Sequence, residues 1–284
     1  MKSAGKSENI GRGIKYILLN LFILLIAVSV LVPIIYMVLI SFSKNFLSME
    51  AGVLPKEYTL QNYRDLFEKH TFTDWLKNSI IISMGTMALA LILTTMSSYA
   101  FSKMKFAGRN MIFKSILLIQ IFPLALSMVA IHQIFNRLGL INKPGGLILV
   151  NSVMATIGLI LISKGYFDTL PAEIEEAALI DGANRFVIFA RIVLPMVKPM
   201  MAVIAIQSFV LAYNEYVIAN VVMTGGFKTM PLAVGLRSMF EGQYGINWPR
   251  YCAAALLGSL PMVMVFFCTQ RYFITGLTEG GVKE

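Results

Sequence analysis

Six long apolar stretches, parted by polar ones, set the pattern of this chain. They run over Tyr16–Ile40, Leu76–Phe101, Ile112–Phe135, Gly146–Ile162, Pro199–Val222 and Cys252–Ile274. A helix needs about 20 apolar residues to cross about 30 Å of hydrocarbon. Five stretches meet that need. The fourth is shorter and carries Asn151, and its neighbours LISKGYF extend it. The pattern predicts an all-α polytopic membrane protein with six transmembrane helices. The first stretch is longer than a signal-peptide core and lacks a small-residue cleavage site, so it is expected to be a retained helix.

The polar stretches orient the spans. The N-terminal segment carries Lys2, Lys6, Arg12 and Lys15. The loop after the second stretch carries Lys103, Lys105, Arg109 and Lys114 with no acid. Short basic loops stay in the cytoplasm. Both termini are therefore expected to be cytoplasmic, with residues 41–75 and 223–251 outside. The first outer loop mixes signs. Thr59, then Leu60, Tyr63, Leu66 and Phe67 at helical spacing, predicts a short helix there. The division expected is 1–75 for the N-terminal segment, first helix and outer loop, 76–274 for the transmembrane core, and 275–284 for a cytoplasmic tail.

Composition agrees with a bilayer as solvent. The chain of 284 residues is 57% hydrophobic and 14% charged, with a mean hydropathy of +0.73. Soluble domains hold about 25% charged residues. The net charge of +9 fits cationic loops beside anionic lipid and gives no cause to expect nucleic acid. Cys252 and Cys268 lie in one apolar run without metal-ligand spacing, and His70 and His132 are isolated. No metal is expected. There is no GxSxG, HExxH or CxxC, and Gly5-Lys6-Ser7 lacks the upstream glycine of a phosphate-binding loop. The chain is not expected to be an enzyme.

One polar stretch is unusual. FDTLPAEIEEAALIDGANRFVIFARIVLP, ending at Pro195, reads as helix, turn, helix. Asp168 or Thr169 can cap, Pro171 fits a first turn, and Glu173, Glu175 and Glu176 sit near the positive end of the helix dipole. Ile174, Ala177, Ala178 and Asp181 share a face. Gly182 suits a turn with positive φ. Phe186, Phe189, Ile192 and Val193 form an apolar stripe on the second helix. Three readings compete: a charged solvated loop, a membrane-surface helix, and a docking element for a soluble partner. Membrane-surface helices favour Lys and Arg on the polar face, and the first half here is acidic.

The spacing Glu176-Ala177-Ala178, three residues, Gly182, nine residues, Ile192-x-Leu194-Pro195 resembles the EAA loop of ABC importer permeases. YAFSKMKFAGR, QIFPLALSMVAIHQIFNRLGL, TMPLAVGL and the ending QRYFITGLTEGGVK are similar to the sugar-importer branch, in particular to maltose/maltodextrin permeases of the MalG type. The resemblance implies the ABC importer type I permease fold in a bacterial cytoplasmic membrane. It implies four kinds of partner: lipid, a second unlike permease, a homodimeric ATPase that binds ATP and Mg, and an extracytoplasmic sugar-binding protein. No cofactor is implied for this chain. By position, Glu176 would pair with a basic residue of the ATPase, Ala177 and Ala178 would allow close packing, Gly182 would turn the chain, and Ile192, Leu194 and Pro195 would complete the motif. The tail Gly280, Gly281, Val282 and Lys283 would reach the ATPase. Gln243, Tyr244, Asn247 and Trp248 fall in a loop that would contact the binding protein.

Asn214 and Glu215 lie inside the fifth stretch, where an ionisable group is costly unless paired or wet. Lining of the translocation path and bonding to the partner permease both fit. Gln120, Asn151 and Gln207 suit hydrogen bonds between helices, and Pro123 and Pro261 suit bends. An ion-coupled carrier would need midplane ion sites, for which Glu215 alone is thin support. An intramembrane enzyme lacks catalytic groups.

Overall fold

The computed structural model describes residues 4–44, 55–68, 71–122, 124–240 and 247–280. Among them regular structure is helical, with one isolated antiparallel bridge between Ser43 and Tyr58. The chain divides into two compact units, residues 1–69 with 242–257 and residues 70–241 with 258–284.

The first unit holds α1 (Ala4–Ser41), α2 (Gln61–Glu68) and the start of α13 (Trp248–Gly280). From Tyr16 to Ile35 the apolar side chains of α1 are exposed, as a helix bathed in lipid requires. The short helix expected after Thr59 forms, and Thr59 Oγ1 accepts the Gln61 N–H at 3.1 Å. Its buried face differs from the apolar one expected. Leu60 and Phe67 are exposed, while Asn62, Asp65 and Leu66 are buried. Asn62 Nδ2 donates to the carbonyls of Ser41 at 2.9 Å and Ser43 at 2.8 Å. These carbonyls lie at the end of α1, where helix acceptors have lost their partners. Arg250 Nη2 meets Asp65 Oδ2 at 2.8 Å.

The second unit is built around α3 (Phe72–Lys103) and α6 (Pro144–Asp168). Gly85 admits Ile148, whose Cδ1 lies 2.6 Å from where a glycine Cβ would stand. Ser152 Oγ donates to the Thr86 carbonyl at 3.3 Å, and Thr94 Oγ1 bonds Thr156 Oγ1 at 3.1 Å. Small and hydroxyl residues let backbones approach where lipid gives no hydrophobic drive. The paired positions rise together along both helices, so α3 and α6 are parallel. Against them packs α10 (Lys198–Tyr213), with Ile204 and Phe209 buried. Asn151, expected to bond between helices, is buried, but its Nδ2 has no partner among the described residues. Gln120 makes the bond expected of it, from Nε2 to the Ile157 carbonyl, and Ser152 makes another. Gln207 is exposed.

Among the described residues four helices are long and apolar enough to span, or five if one bent pair counts as one span. The third expected span is divided into α4 (Arg109–Ile119), a 3-10 turn over Leu124–Ser127 and α5 (Met128–Arg137). The break surrounds Pro123, which has no N–H to give to a helix; Pro123 itself lies outside the described residues. The fifth is interrupted too. After α10 the chain breaks at Asn214 and resumes as α11 (Val217–Val222). The segment entering α10, Arg185–Met196, meets it at 79°. Pro199 stands at that corner. In the last stretch Pro261 lies within α13, which continues as helix around it.

The loop ahead of α12 (Leu232–Ser238) is held by side chains. Trp75 Nε1 donates to the Phe227 carbonyl at 2.7 Å, Asn78 Nδ2 to Lys228 and Met230 carbonyls, and Asn142 Oδ1 accepts the Gly225 N–H at 2.6 Å. Gly235 lets α12 lie against the indole: a Cβ there would stand 2.2 Å from Trp75 Cδ2. Trp75 is buried and hydrogen-bonded, so the ring cannot swing aside cheaply. Gly235→Ala should therefore destabilise the fold by about 1–3 kcal/mol, seen as a lower thermal midpoint of the purified protein. An unchanged midpoint would show that the ring yields.

Candidate functional site

The motif-bearing loop leaves α6 and begins with α7 (Ala172–Ile180). Its N-cap is Pro171, without a side-chain cap. Asp168 and Thr169, expected to cap α7, belong to the end of α6. Asp168 accepts from Ser102 Oγ and pairs with Lys164 Nζ, both at 2.6 Å. Thr169 Oγ1 donates to the Tyr166 carbonyl. Glu173 and Glu175 occupy the first turn of α7, where the helix dipole favours carboxylates.

α7 ends in a Schellman turn. The Ala183 N–H donates to the Ala178 carbonyl at 3.0 Å and the Gly182 N–H to the Leu179 carbonyl at 3.1 Å. Gly182 has a φ of +83°, a left-handed conformation that only glycine adopts freely. After the turn Asn184 caps α8 (Arg185–Ile188) by accepting the Val187 N–H at 2.9 Å. A π-helical turn over Phe189–Val193 and then α9 (Leu194–Met196) carry the chain to the corner at Val197.

The loop has an inner and an outer face. Ala178, Ile188, Val193 and Val197 are buried in one apolar cluster with Tyr99 and Phe167; Ile192 and Leu194 pack at its margin. Glu176 and Ala177 are exposed. The motif is thus split. Ala178, expected beside Ala177 on a contact surface, is core of this chain, because one helical step turns a side chain by about 100°. Ile192 and Leu194 likewise support the loop from within, while Pro195 is exposed. The expected apolar stripe is broken: Phe186 is 76% exposed. The π turn inserts a residue after it, so a 3.6-residue period cannot keep Phe186 in line with Val193. Ile180, at 87% exposure, is barer still. Sequence reasoning passed over these two as outward groups, although an isoleucine beside an Asp-Gly turn was a visible signal.

Behind α7 lies the last turn of α3. Tyr99 Oη donates to Glu175 Oε2 at 3.1 Å, Lys103 Nζ donates to the Leu170 carbonyl at 2.6 Å, and Lys103 Nζ stands 3.9 Å from Glu175 Oε1. A cavity of about 330 Å³ opens beside them, lined by Lys103, Lys105, Glu175, Glu176, Leu179 and Arg185. Both signs of charge reach it. No cluster of His, Cys, Asp and Glu suited to a metal occurs among the described residues.

The other expected site residues lie elsewhere. Glu215 Oε1 accepts the Ile218 N–H at 2.6 Å and Oε2 the Ala219 N–H at 2.9 Å, so its carboxylate closes the start of α11. This satisfies donors that a helix start leaves unpaired. Asn214 is exposed and donates to the Val210 carbonyl at 3.1 Å. Asn247 accepts the Arg250 N–H at 3.1 Å and so caps α13, and Trp248 stands edge-on to Tyr251. Gln243 and Tyr244 lie outside the described residues. So do Gly281, Val282 and Lys283; Gly280 ends α13.

Residues 98–278 match the family described as binding-protein-dependent transport system inner membrane component. The chain is 32% identical to the galactooligosaccharides transport system permease protein GanQ of Bacillus subtilis over 96% of this chain and 97% of that one. It is 32% identical to the maltodextrin transport system permease protein MdxG of the same organism, over 89% and 92%. The maltose/maltodextrin transport system permease protein MalG of Yersinia pestis is 37% identical over 74% of this chain and 70% of its own. Among solved structures, a bacterial ABC transporter involved in the import of the acidic polysaccharide alginate superposes with a TM-score of 0.77 at 23% identity, covering 94% and 98%. That likeness concerns the fold.

The turn at Gly182 supplies a local test. Nothing lies within 4 Å of a Cβ placed there, so any cost of Gly182→Ala is backbone strain of about 1–2 kcal/mol. Hydrogen exchange at the amides of positions 182 and 183 should quicken about tenfold. Unchanged protection would mean that the turn does not need the left-handed residue.

Proposed function

The chain belongs to the binding-protein-dependent transport system inner membrane component family, and from that premise we propose that it is the permease subunit of an ATP-driven importer of maltodextrins. The six expected spans would include the two interrupted ones, with both termini and the motif loop in the cytoplasm. A second, unlike permease would complete the path. A homodimeric ATPase would bind ATP and Mg and supply the work, since this chain has no phosphate-binding loop of its own. A binding protein would deliver sugar from outside.

One observation carries the docking role. The motif loop is clamped from behind by its own buried cluster, and it turns Glu176, Ala177, Ile180 and Phe186 outward. A rigid surface with a small residue, exposed carboxylates at Glu173, Glu176 and Asp181, and bare apolar groups suits a cleft of a soluble protein, where central apolar anchors and a desolvated charge carry most of the affinity. Gly280, Gly281, Val282 and Lys283 are assigned to the same ATPase, and Gln243, Tyr244 and Trp248 to the binding protein. Asn247 contributes to that loop by capping its exit helix. Asn214 remains assigned to the path or the permease interface. Glu215 shapes that break from within, since both its oxygens hold backbone amides.

Maltodextrin is preferred because relatives named for maltodextrin or maltose recur among the similar proteins. The relative named for galactooligosaccharides covers more of the chain and supports the second reading, another oligosaccharide.

In a complex purified with its ATPase and binding protein, Glu176→Lys should cut the co-purified ATPase about tenfold, as loss of a buried interface charge does. Full retention of the ATPase would sink the docking role. With the unaltered complex, maltodextrins should stimulate ATP hydrolysis and galactooligosaccharides should not; the reverse result would move the substrate and leave the family assignment standing.

A further inference from the structure

Glu175 and Glu176 are adjacent in sequence and opposite in setting. Glu176 is exposed. The side chain of Glu175 is only 13% exposed, as is that of Lys103 beside it. Taking a carboxylate out of water is costly, and that cost must be met by partners. Tyr99 Oη supplies one hydrogen bond, at 3.1 Å. Oε1 is buried with no hydrogen-bond partner among the described residues, and its nearest cation is Lys103 at 3.9 Å. The lysine spends an N–H on the Leu170 carbonyl at 2.6 Å, which leaves it two more to offer.

Tyr99 and Lys103 are four residues apart on α3, so they share a face of its last turn. With Ser102, which holds Asp168, they fasten the α6–α7 connection to α3 at three consecutive places: the end of α6, the linker at Leu170, and the first turn of α7. The Tyr99 ring also lies 4.9 Å from the ring of Phe189, beyond the Schellman turn. One side chain thus touches the loop on both sides of its turn.

Static anchoring alone would be served as well by apolar groups. Replacing a buried ion pair with well-packed hydrophobic residues is often neutral or stabilising. What a charged, hydrogen-bonded contact adds is a fixed register: an apolar surface can slide, whereas this pairing holds at one alignment. We propose that Glu175, with Tyr99 and Lys103, is a positioning latch that makes α7 and α3 move as one body, so that displacement of the docked loop is passed to a membrane-spanning helix. It rests on the docking role of Glu176 and gives the inward carboxylate a separate role. Glu176 grips the ATPase, and Glu175 grips the helix that must move.

The test uses the reconstituted complex with its ATPase and binding protein. Glu175→Gln and Lys103→Met should retain the ATPase in its normal ratio while sugar-stimulated hydrolysis and uptake fall about tenfold, the scale of a coupling contact removed. Tyr99→Phe removes one hydroxyl, leaves the ring packing in place, and should lower coupling by a smaller factor. Should the Glu175 and Lys103 variants not reach the membrane, Tyr99→Phe decides the matter. Stimulation within about twofold of the unaltered complex in every variant would overturn the latch. So would loss of the ATPase from the Glu175→Gln complex, which would make Glu175 a docking residue. Failure of the docking role itself would be seen separately, as ATPase retained by Glu176→Lys.

Discussion

The second unit depends on the close parallel packing of α3 and α6. Gly85 against Ile148, Ser152 against the Thr86 carbonyl and Thr94 against Thr156 bring two long helices side by side in matching direction. Because they run together, they also end together. Tyr99, Ser102 and Lys103 on one therefore arrive beside Lys164 and Asp168 on the other, at the place where α7 leaves. Had the helices been offset by one turn, about 5.4 Å, none of these bonds could form. The position of the motif loop is thus set by helix packing well away from it.

Charge follows the same logic throughout. A chain with so few ionised groups places several of them against defined partners. Asp65 meets Arg250, Glu215 holds two backbone amides, and Glu175 lies between a tyrosine and a lysine. For Asp65 and Glu175 removal from water is offset by donors that packing brings alongside, and for Glu215 by amides of the next helical turn. Glu215 shows a further use. By accepting the Ile218 and Ala219 N–H groups, it pairs two of the donors that a helix restarting inside an apolar stretch leaves open.

The loop itself combines two kinds of rigidity. The Schellman turn at Gly182 is local, made by backbone bonds within six residues. The cluster of Ala178, Ile188, Val193 and Val197 with Tyr99 and Phe167 is tertiary. Together they hold the backbone of the outer surface by contacts within this chain alone. A preorganised surface loses less conformational entropy when it binds.

Much of this was legible beforehand. Apolar length predicted α1, α3, α6 and α13. Thr59 announced α2, and the Glu-Ala-Ala to Leu-Pro spacing with Gly182 located the motif loop. These are local properties: hydropathy over about 20 residues, cap chemistry, and a glycine where φ turns positive. Other features needed the folded chain. Ala177 and Ala178 look alike in sequence, and only packing on Tyr99 and Phe167 made one core and the other surface. Phe186 left its apolar stripe because a π turn shifted the register. Asn62 and Asp65 became the buried face of α2 because α1 ended in carbonyls needing donors and Arg250 supplied a charge. Glu175 read as one acid among three until α3 brought Tyr99 and Lys103 to it. Sequence alone determined where helices form and which segment carries the motif, since those follow from neighbours along the chain. Tertiary structure decided which side chains face inward, because that depends on partners that are distant in sequence.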